Sequence, residues 1–347
     1  MFLTFFCFLC SFPRKMLYLC GRNNKKREAP AAQSLIMKDK ILCNLCLLAF
    51  GALARLPLSW LYVLSDGLCW VMLHVWHYRR GVVRDNLLRV FPDRTDAERR
   101  KIEVSFYHHL CDLIVETIKL LHISDEELAR RVEPHGIELA DECARQGVPC
   151  FVLCGHSGNW EWAEQMYMYC TYPMTFCQVY HPLRNKVFDQ LMLRIRKRFG
   201  SVSIPQLRVL RTVLHLRGEG KPFLVAFIAD QHPNTKVQEY WTTFLGQDSS
   251  YITGAEEIGR KIGARFIFMD FEQPRRGYYR ISLRKIEPAE GEPFPYTISY
   301  LRMLEASILR QPELWLWSHR RWRLSREEYN RRQALTSNPR FAKGPIN

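Results

Sequence analysis

The sequence predicts an α/β protein, with a mixed central sheet flanked by helices and an N-terminal helical segment embedded in a membrane. Two observations carry this. From Val148 onward, short runs rich in β-branched and aromatic residues alternate with longer helical stretches. Before residue 80 the chain is dominated by apolar runs. The length of 347 residues and 47% hydrophobic content allow one sizeable core.

The elements follow in order. Met1–Cys20 is apolar but broken by Pro13, Arg14 and Lys15, and residues 21–36 are basic, then small and linker-like. A signal peptide carries its basic residues ahead of the apolar run, the reverse of this order, so translation is expected to start at Met37, with 1–36 a mis-assigned start or a disordered leader. Residues 37–80 are expected to form the anchoring region. Ile41–Ala54, Leu58–Leu64 and Gly67–Trp76 are apolar, interrupted by Arg55, Pro57 and Asp66. A spanning helix needs about 20 apolar residues. The region therefore reads as one imperfect span, as a helix pair within one leaflet, or as a buried hairpin. His77, Arg79, Arg80, Arg84 and Arg89 follow it and favour a cytoplasmic face.

Residues 81–330 are expected to form the catalytic domain, and 331–347 a tail. Asp96–Leu121 reads as a long helix, capped by Thr95 with Glu98 three residues on. Ser124–Arg131 starts a short one. Strands are expected at Val148–Cys154, Met174–Val179, Phe223–Ala229, Arg265–Phe271 and Tyr278–Ile286. Helices are expected at Trp160–Cys170, Lys186–Phe199, Leu207–Arg217, Ala255–Ile262 and Tyr296–Leu309.

The net charge of +15 implies an anionic partner: nucleic acid, an anionic membrane surface, or an acidic substrate or carrier. Aromatics interleaved with Arg and Lys favour the membrane surface over nucleic acid. The twelve cysteines are scattered, mostly in apolar runs, as reduced core thiols are. Cys7/Cys10 and Cys43/Cys46 lack the matching pair a zinc site needs.

Gly155-His156-Ser157-Gly158-Asn159-Trp160-Glu161 sits between a strand and a helix, where α/β sheets bind ligands. A turn there brings the Glu161 carboxylate onto one nitrogen of His156 and leaves the other as a general base. The helix start offers N–H groups to a developing oxyanion. The plain alternative is a capped helix start, with Asn159 as N-cap and His156 bonded to nearby backbone. Ser157 reads as structural and Cys154 as core. Asp230 reads as a structural partner for a nearby Arg or His, not a second base.

His156-x4-Glu161 resembles the H-x4-D/E motif of glycerolipid acyltransferases, and its His-Ser-Gly-Asn-Trp-Glu form resembles the lauroyl and myristoyl transferases of lipid A biosynthesis. Three further segments are similar to that family, in its order: Ala229-Asp230-Gln231; Phe244-Leu245-Gly246 with Thr253-Gly254; and Pro312-Glu313 through Trp317-Ser318-His319-Arg320-Arg321-Trp322. The resemblance spans Ile41 to Leu324. It implies a glycerolipid acyltransferase-like fold. It also implies transfer of a fatty acyl chain from acyl-acyl carrier protein to a hydroxyl of a Kdo-bearing lipid A precursor, at the cytoplasmic face of a bacterial inner membrane. His156 and Glu161 would be catalytic, and no metal or cofactor beyond the acyl-carrier co-substrate is needed. Asn159, Trp160, His181, Arg184, Asp230, Gln231, Gly246, His319, Arg320 and Arg321 would bind substrate.

One departure stands out. Where the family has Tyr-Arg-Pro, this chain has Tyr180-His181-Pro182, with Arg184 two residues beyond the proline. Either Arg184 supplies the positive charge, or this branch handles the oxyanion differently, or Arg184 merely meets phosphate. Clusters at Arg194–Arg198 and Arg320–Arg326 fit an anionic substrate or generic anionic headgroups. Two other readings remain: the same chemistry on an aminolipid or lysophospholipid, and a non-catalytic protein of the membrane surface.

Overall fold

The computed structural model describes residues 48–183, 185–233, 240–323 and 325–337. The expected leader, Met37 and the first half of Ile41–Ala54 lie outside the described residues, as does Arg184.

The first named helix, α1 (Leu58–Val71), continues through a π-helical turn, Met72–Trp76. Together they make a helix long and apolar enough to cross a membrane. Trp60 and Trp70 are exposed along it, while Leu58, Leu61 and Cys69 face inward. A reversal with positive φ at His77 and Arg79 leads into α2 (Arg80–Val90). The basic residues after the apolar helix are largely paired with the protein's own groups. Arg80 and Arg84 hold the buried Glu103, Arg89 pairs with Asp85, and Arg79 donates to the Ser318 carbonyl. They therefore carry less weight as a signal of membrane orientation than their spacing suggests.

The long helix α3 (Asp96–Lys119) starts at the expected capping box: Glu98 N–H donates to Thr95 Oγ1, and Thr95 N–H to the Glu98 carboxylate. Short α4 (Asp125–Arg131) follows. Strand β1 (Val132–His135) and α5 (Glu138–Arg145) come next, two elements too short to stand out in the sequence.

Then come β2 (Cys150–Cys154), the 3₁₀ helix Trp162–Tyr169, β3 (Thr175–Tyr180), α6 (Lys186–Lys197), β4 (Val202–Pro205), α7 (Val209–Gly218) and β5 (Phe223–Ile228). The hairpin β6 (Tyr240–Phe244) and β7 (Gln247–Tyr251) stands apart as its own small sheet. The chain closes with α8 (Gly254–Ile262), β8 (Arg265–Arg275), β9 (Tyr278–Lys285), α9 (Pro295–Arg310) and α10 (Arg326–Ser337).

Among the described residues the main sheet runs β1-β9-β8-β2-β5-β3-β4, parallel except for the antiparallel β8–β9 pair. Strand alternation sorts its side chains into two cores. Phe151, Leu153, Val225, Phe227 and Phe268 face one layer, and Cys150, Val152, Cys154, Leu224 and Ile267 the other. Both faces are covered, so β2 and β5 are apolar throughout, as buried parallel strands must be. The described cysteines are free thiols, and all but Cys170 are buried.

Candidate active site

Strands β2 and β5 are parallel neighbours, with Cys154 level with Ile228, so the chain leaves both at the same rim. His156 follows β2 and Asp230 follows β5. His156 Nδ1 lies 2.7 Å from Asp230 Oδ1, and the His156 backbone N–H donates to Asp230 Oδ2 at 2.9 Å. Trp315 Nε1–H donates to that same Oδ2 at 2.9 Å. Burial pushes the Asp230 carboxyl up, but His156 and the Trp315 N–H outweigh it and hold it well below the usual carboxylate range. A carboxylate only accepts, so the ring proton sits on Nδ1 and His156 Nε2 is left as a base.

The loop is clamped from two sides. Ser157 bridges Trp315, Gly158 N–H donates to the Leu314 carbonyl, and Leu316 N–H to the His156 carbonyl. Both glycines are sterically required. A Cβ on Gly155 would lie 2.7 Å from Leu304 Cδ1, and one on Gly158, at φ +60°, 2.6 Å from Phe271 Cβ. Ser157 is buried in this strap, in keeping with a structural role.

Glu161 does not reach His156. Its two oxygens take Arg196 Nε and Nη2 at 3.1 and 2.8 Å, and the expected imidazole contact belongs to Asp230. The physical reason is the turn: Glu161 caps the 3₁₀ helix on the side of α6, whereas Asp230 arrives from the adjacent strand at the level of the ring. The segment is also not the α-helix Trp160–Cys170 that its periodicity predicts. Trp162 N–H is taken by Asn159 Oδ1 and Ala163 N–H by the Asn159 carbonyl, so these amides are unavailable to an oxyanion.

The other expected substrate residues separate. Trp160 sets its ring edge-on to His156, with centroids 5.3 Å apart. Gln231 Nε2 lies 3.4 Å from both His156 ring nitrogens. His319 lies near this cluster, its ring centroid 5.5 Å from that of His232. Burial, opposed by the Asp230 charge, lowers His319 to about 3, so it is neutral at pH 7. His181 is exposed just beyond β3, on the same rim. Asn159, by contrast, is fully buried and points away from solvent, with Nδ2 on Glu116 Oε2 at 2.7 Å. Gly246 is a turn glycine: with Leu245 at φ 52° and Gly246 at φ 71° it closes the β6–β7 hairpin, and open space surrounds it. Arg321 is buried over Phe244 and donates to the Ser250 carbonyl, while Arg320 is exposed. Of the Arg194–Arg198 cluster, Arg196 is spent on Glu161 and Arg198 on Asp125.

Sequence reasoning missed the buried support beneath the loop. Glu116 of α3 is wholly buried and accepts from Asn159, Tyr62 and Tyr279 at 2.7–2.8 Å. His109, on the same helix, contacts the Gly158 carbonyl at 3.3 Å. The available signal was a carboxylate inside the apolar stripe of that helix, between Leu113, Ile114 and Thr117.

Burial first, and the Asp112 charge second, raise the Glu116 carboxyl to about 7, against the hydrogen bonds it accepts. The native state then keeps a proton that the unfolded chain, titrating near 4.3, gives up. Stability is therefore fully present at acid pH and declines as pH rises through that window, by about 4 kcal/mol in all. Glu116→Gln should flatten that decline in melting temperature measured from pH 4.5 to 8. An unchanged slope in the variant would assign the titration elsewhere.

An apolar cleft of ≈ 90 Å³ lies beside the loop. Val152, Cys154, Met166, Leu224, Ala226 and Met269 line it, with Trp160, Glu161 and Arg196 also in its wall. Its mostly apolar wall suits an apolar ligand. The Cys154 thiol is pushed up by burial and so is kept neutral in that wall.

A histidine held by a carboxylate at the rim of an α/β sheet, next to an apolar cleft, is an arrangement that enzymes use to activate a hydroxyl or water. The comparisons narrow this class. Residues 30–324 match the bacterial lipid A biosynthesis acyltransferase family, and the chain belongs to it. It is similar to the lipid A biosynthesis lauroyltransferase of Escherichia coli K12, 25% identical over 78% of this chain and 87% of that one. The palmitoleoyltransferase of the same organism is 23% identical over 71% of this chain and 79% of its own length. The myristoyltransferase is 26% identical over 48% of this chain and 45% of that one. The protein is therefore an acyltransferase of lipid A biosynthesis.

Proposed function

We propose that the enzyme transfers a fatty acyl chain from acyl-acyl carrier protein to a hydroxyl of a Kdo-bearing lipid A precursor, at the cytoplasmic face of the inner membrane. The observation that carries this reading is the His156–Asp230–Trp315 arrangement beside the apolar cleft. His156 Nε2 takes the acceptor's hydroxyl proton as the oxygen attacks the thioester carbon. Collapse of the tetrahedral intermediate breaks the C–S bond, and the imidazolium returns its proton to the departing thiolate. Asp230 fixes the tautomer and stabilises the imidazolium. Gln231 Nε2, 3.4 Å from the imidazole, and neutral His319 are the candidate oxyanion donors. Glu161, through Arg196, shapes the cleft wall beside Trp160. The exposed tryptophans of α1 seat the enzyme at the bilayer, where its acceptor resides.

The test is an assay of purified enzyme with a panel of acyl-carrier thioesters and a Kdo-bearing precursor, against an aminolipid and a lysophospholipid. Transfer to the precursor is expected, with His156→Ala reducing it by about 10³-fold and leaving the circular dichroism spectrum unchanged. Transfer to the other acceptors alone would reassign the substrate, and near-wild-type activity in His156→Ala would remove the base. Filling the cleft with Ala226→Leu should shift the preferred donor to a shorter chain. An unchanged chain preference would place the acyl group elsewhere.

A further inference from the structure

The sheet ends at β4, and α6 and α7 both pack on that edge strand from opposite faces. Beyond β4 the surface carries an aliphatic ridge: Leu207 is completely exposed, and Val202, Leu210 and Leu214 are 44–52% exposed. Leu207, Leu210 and Leu214 follow helical spacing, and Leu210 and Leu214 lie on one side of α7 while Val209 and Val213 fill the core. Arg208 and Arg211 alternate with the leucines along the chain, and Arg194 and Lys197 lie on α6, the other helix of this edge; all four are exposed. None of the four pairs with a carboxylate among the described residues. Two unneutralised cations among bare leucines, with two more on the other helix of the same sheet edge, suit an anionic, partly apolar partner.

We propose that this ridge is where the acyl carrier protein docks, a partner with an acidic helical surface, delivering its thioester to the cleft. The inference rests on the acyl-carrier reading above. Placement supports it. Pro205 of β4 is level with Tyr180 of β3, so Leu207 begins at the same rim that His156 leaves from β2. Three ladder steps separate β2 from β4, about 15 Å in all. The cleft reaches towards this edge through Gln178, Arg196 and Ser201. A carrier seated here holds its thioester arm in line with the cleft and leaves α1 for the bilayer. Residue type separates the two surfaces: the tryptophans, which favour a lipid interface, are exposed on α1, and the ridge has none.

The test is steady-state kinetics of the full-length enzyme in detergent with two donors, the acyl-carrier thioester and the matching acyl-coenzyme A. Arg208→Glu with Arg211→Glu should raise KM for the carrier thioester roughly tenfold, leave kcat unchanged, and leave the coenzyme A reaction untouched. The milder Arg208→Ala with Arg211→Ala should move KM in the same direction and weaken its salt dependence. An unchanged KM for the carrier thioester, or equal losses with both donors, overturns the docking site. So does an unchanged KM combined with weaker partition onto phosphatidylglycerol vesicles, which would make the ridge a lipid contact. A wild-type enzyme that ignores the carrier thioester and uses only coenzyme A overturns the donor reading itself.

Discussion

Asp230→Asn should lower kcat by about 10⁴-fold while the protein remains folded. The size follows from hydrogen-bond polarity. Asp230 Oδ2 accepts two donors, the His156 backbone N–H and Trp315 Nε1–H, so an asparagine must turn its oxygen that way. Its amide NH₂ then faces His156 Nδ1, where Asp230 Oδ1 now sits at 2.7 Å. A donor at that position forces Nδ1 to accept, moves the ring proton to Nε2, and removes the base. Kinetics with saturating donor and acceptor, beside a denaturation midpoint for the variant, would check it. A kcat within tenfold of wild type would show that the tautomer is set by some other group, and Glu161→Gln would be the next variant to assay.

Arg196→Met should cost about 3–5 kcal/mol of stability. Arg196 and Glu161 are 15% and 8% exposed and share two hydrogen bonds in the cleft wall. Methionine leaves Glu161 charged in a desolvated site. Glu164 lies close by, its carboxyl already raised by burial to about 7 and drawn back down by the Arg196 charge. Loss of the guanidinium therefore strands one carboxylate and raises a second. The melting temperature should fall by roughly 10 °C. Adding Glu161→Gln should restore most of it, because the stranded charge is then gone. A single-variant loss below about 1 kcal/mol would mean that water reaches this pair freely.

The capping box of α3, the apolar strands β2 and β5, and the loop that opens after β2 are all legible in the sequence. Each depends on residues within one turn or one strand of each other, and local patterning encodes such contacts directly. The short strands β1 and β4 and the β6–β7 hairpin are not legible, because four or five residues carry too little periodicity. The 3₁₀ form of Trp162–Tyr169 is hidden for a related reason: apolar spacing reports a helix but not its hydrogen-bond register.

From the sequence alone came the strand-end position of His156, a structural partner for Asp230, and an apolar helix ahead of an α/β acyltransferase. Only the tertiary structure decided which carboxylate holds the imidazole. Five residues along the chain, Glu161 looked like the partner; 74 residues away, Asp230 is the one that touches the ring. A turn fixes where a neighbouring side chain points less firmly than a sheet fixes two parallel strand ends. It is the β2–β5 pairing, settled by long-range hydrogen bonds and burial on both faces, that sets the carboxylate against the histidine.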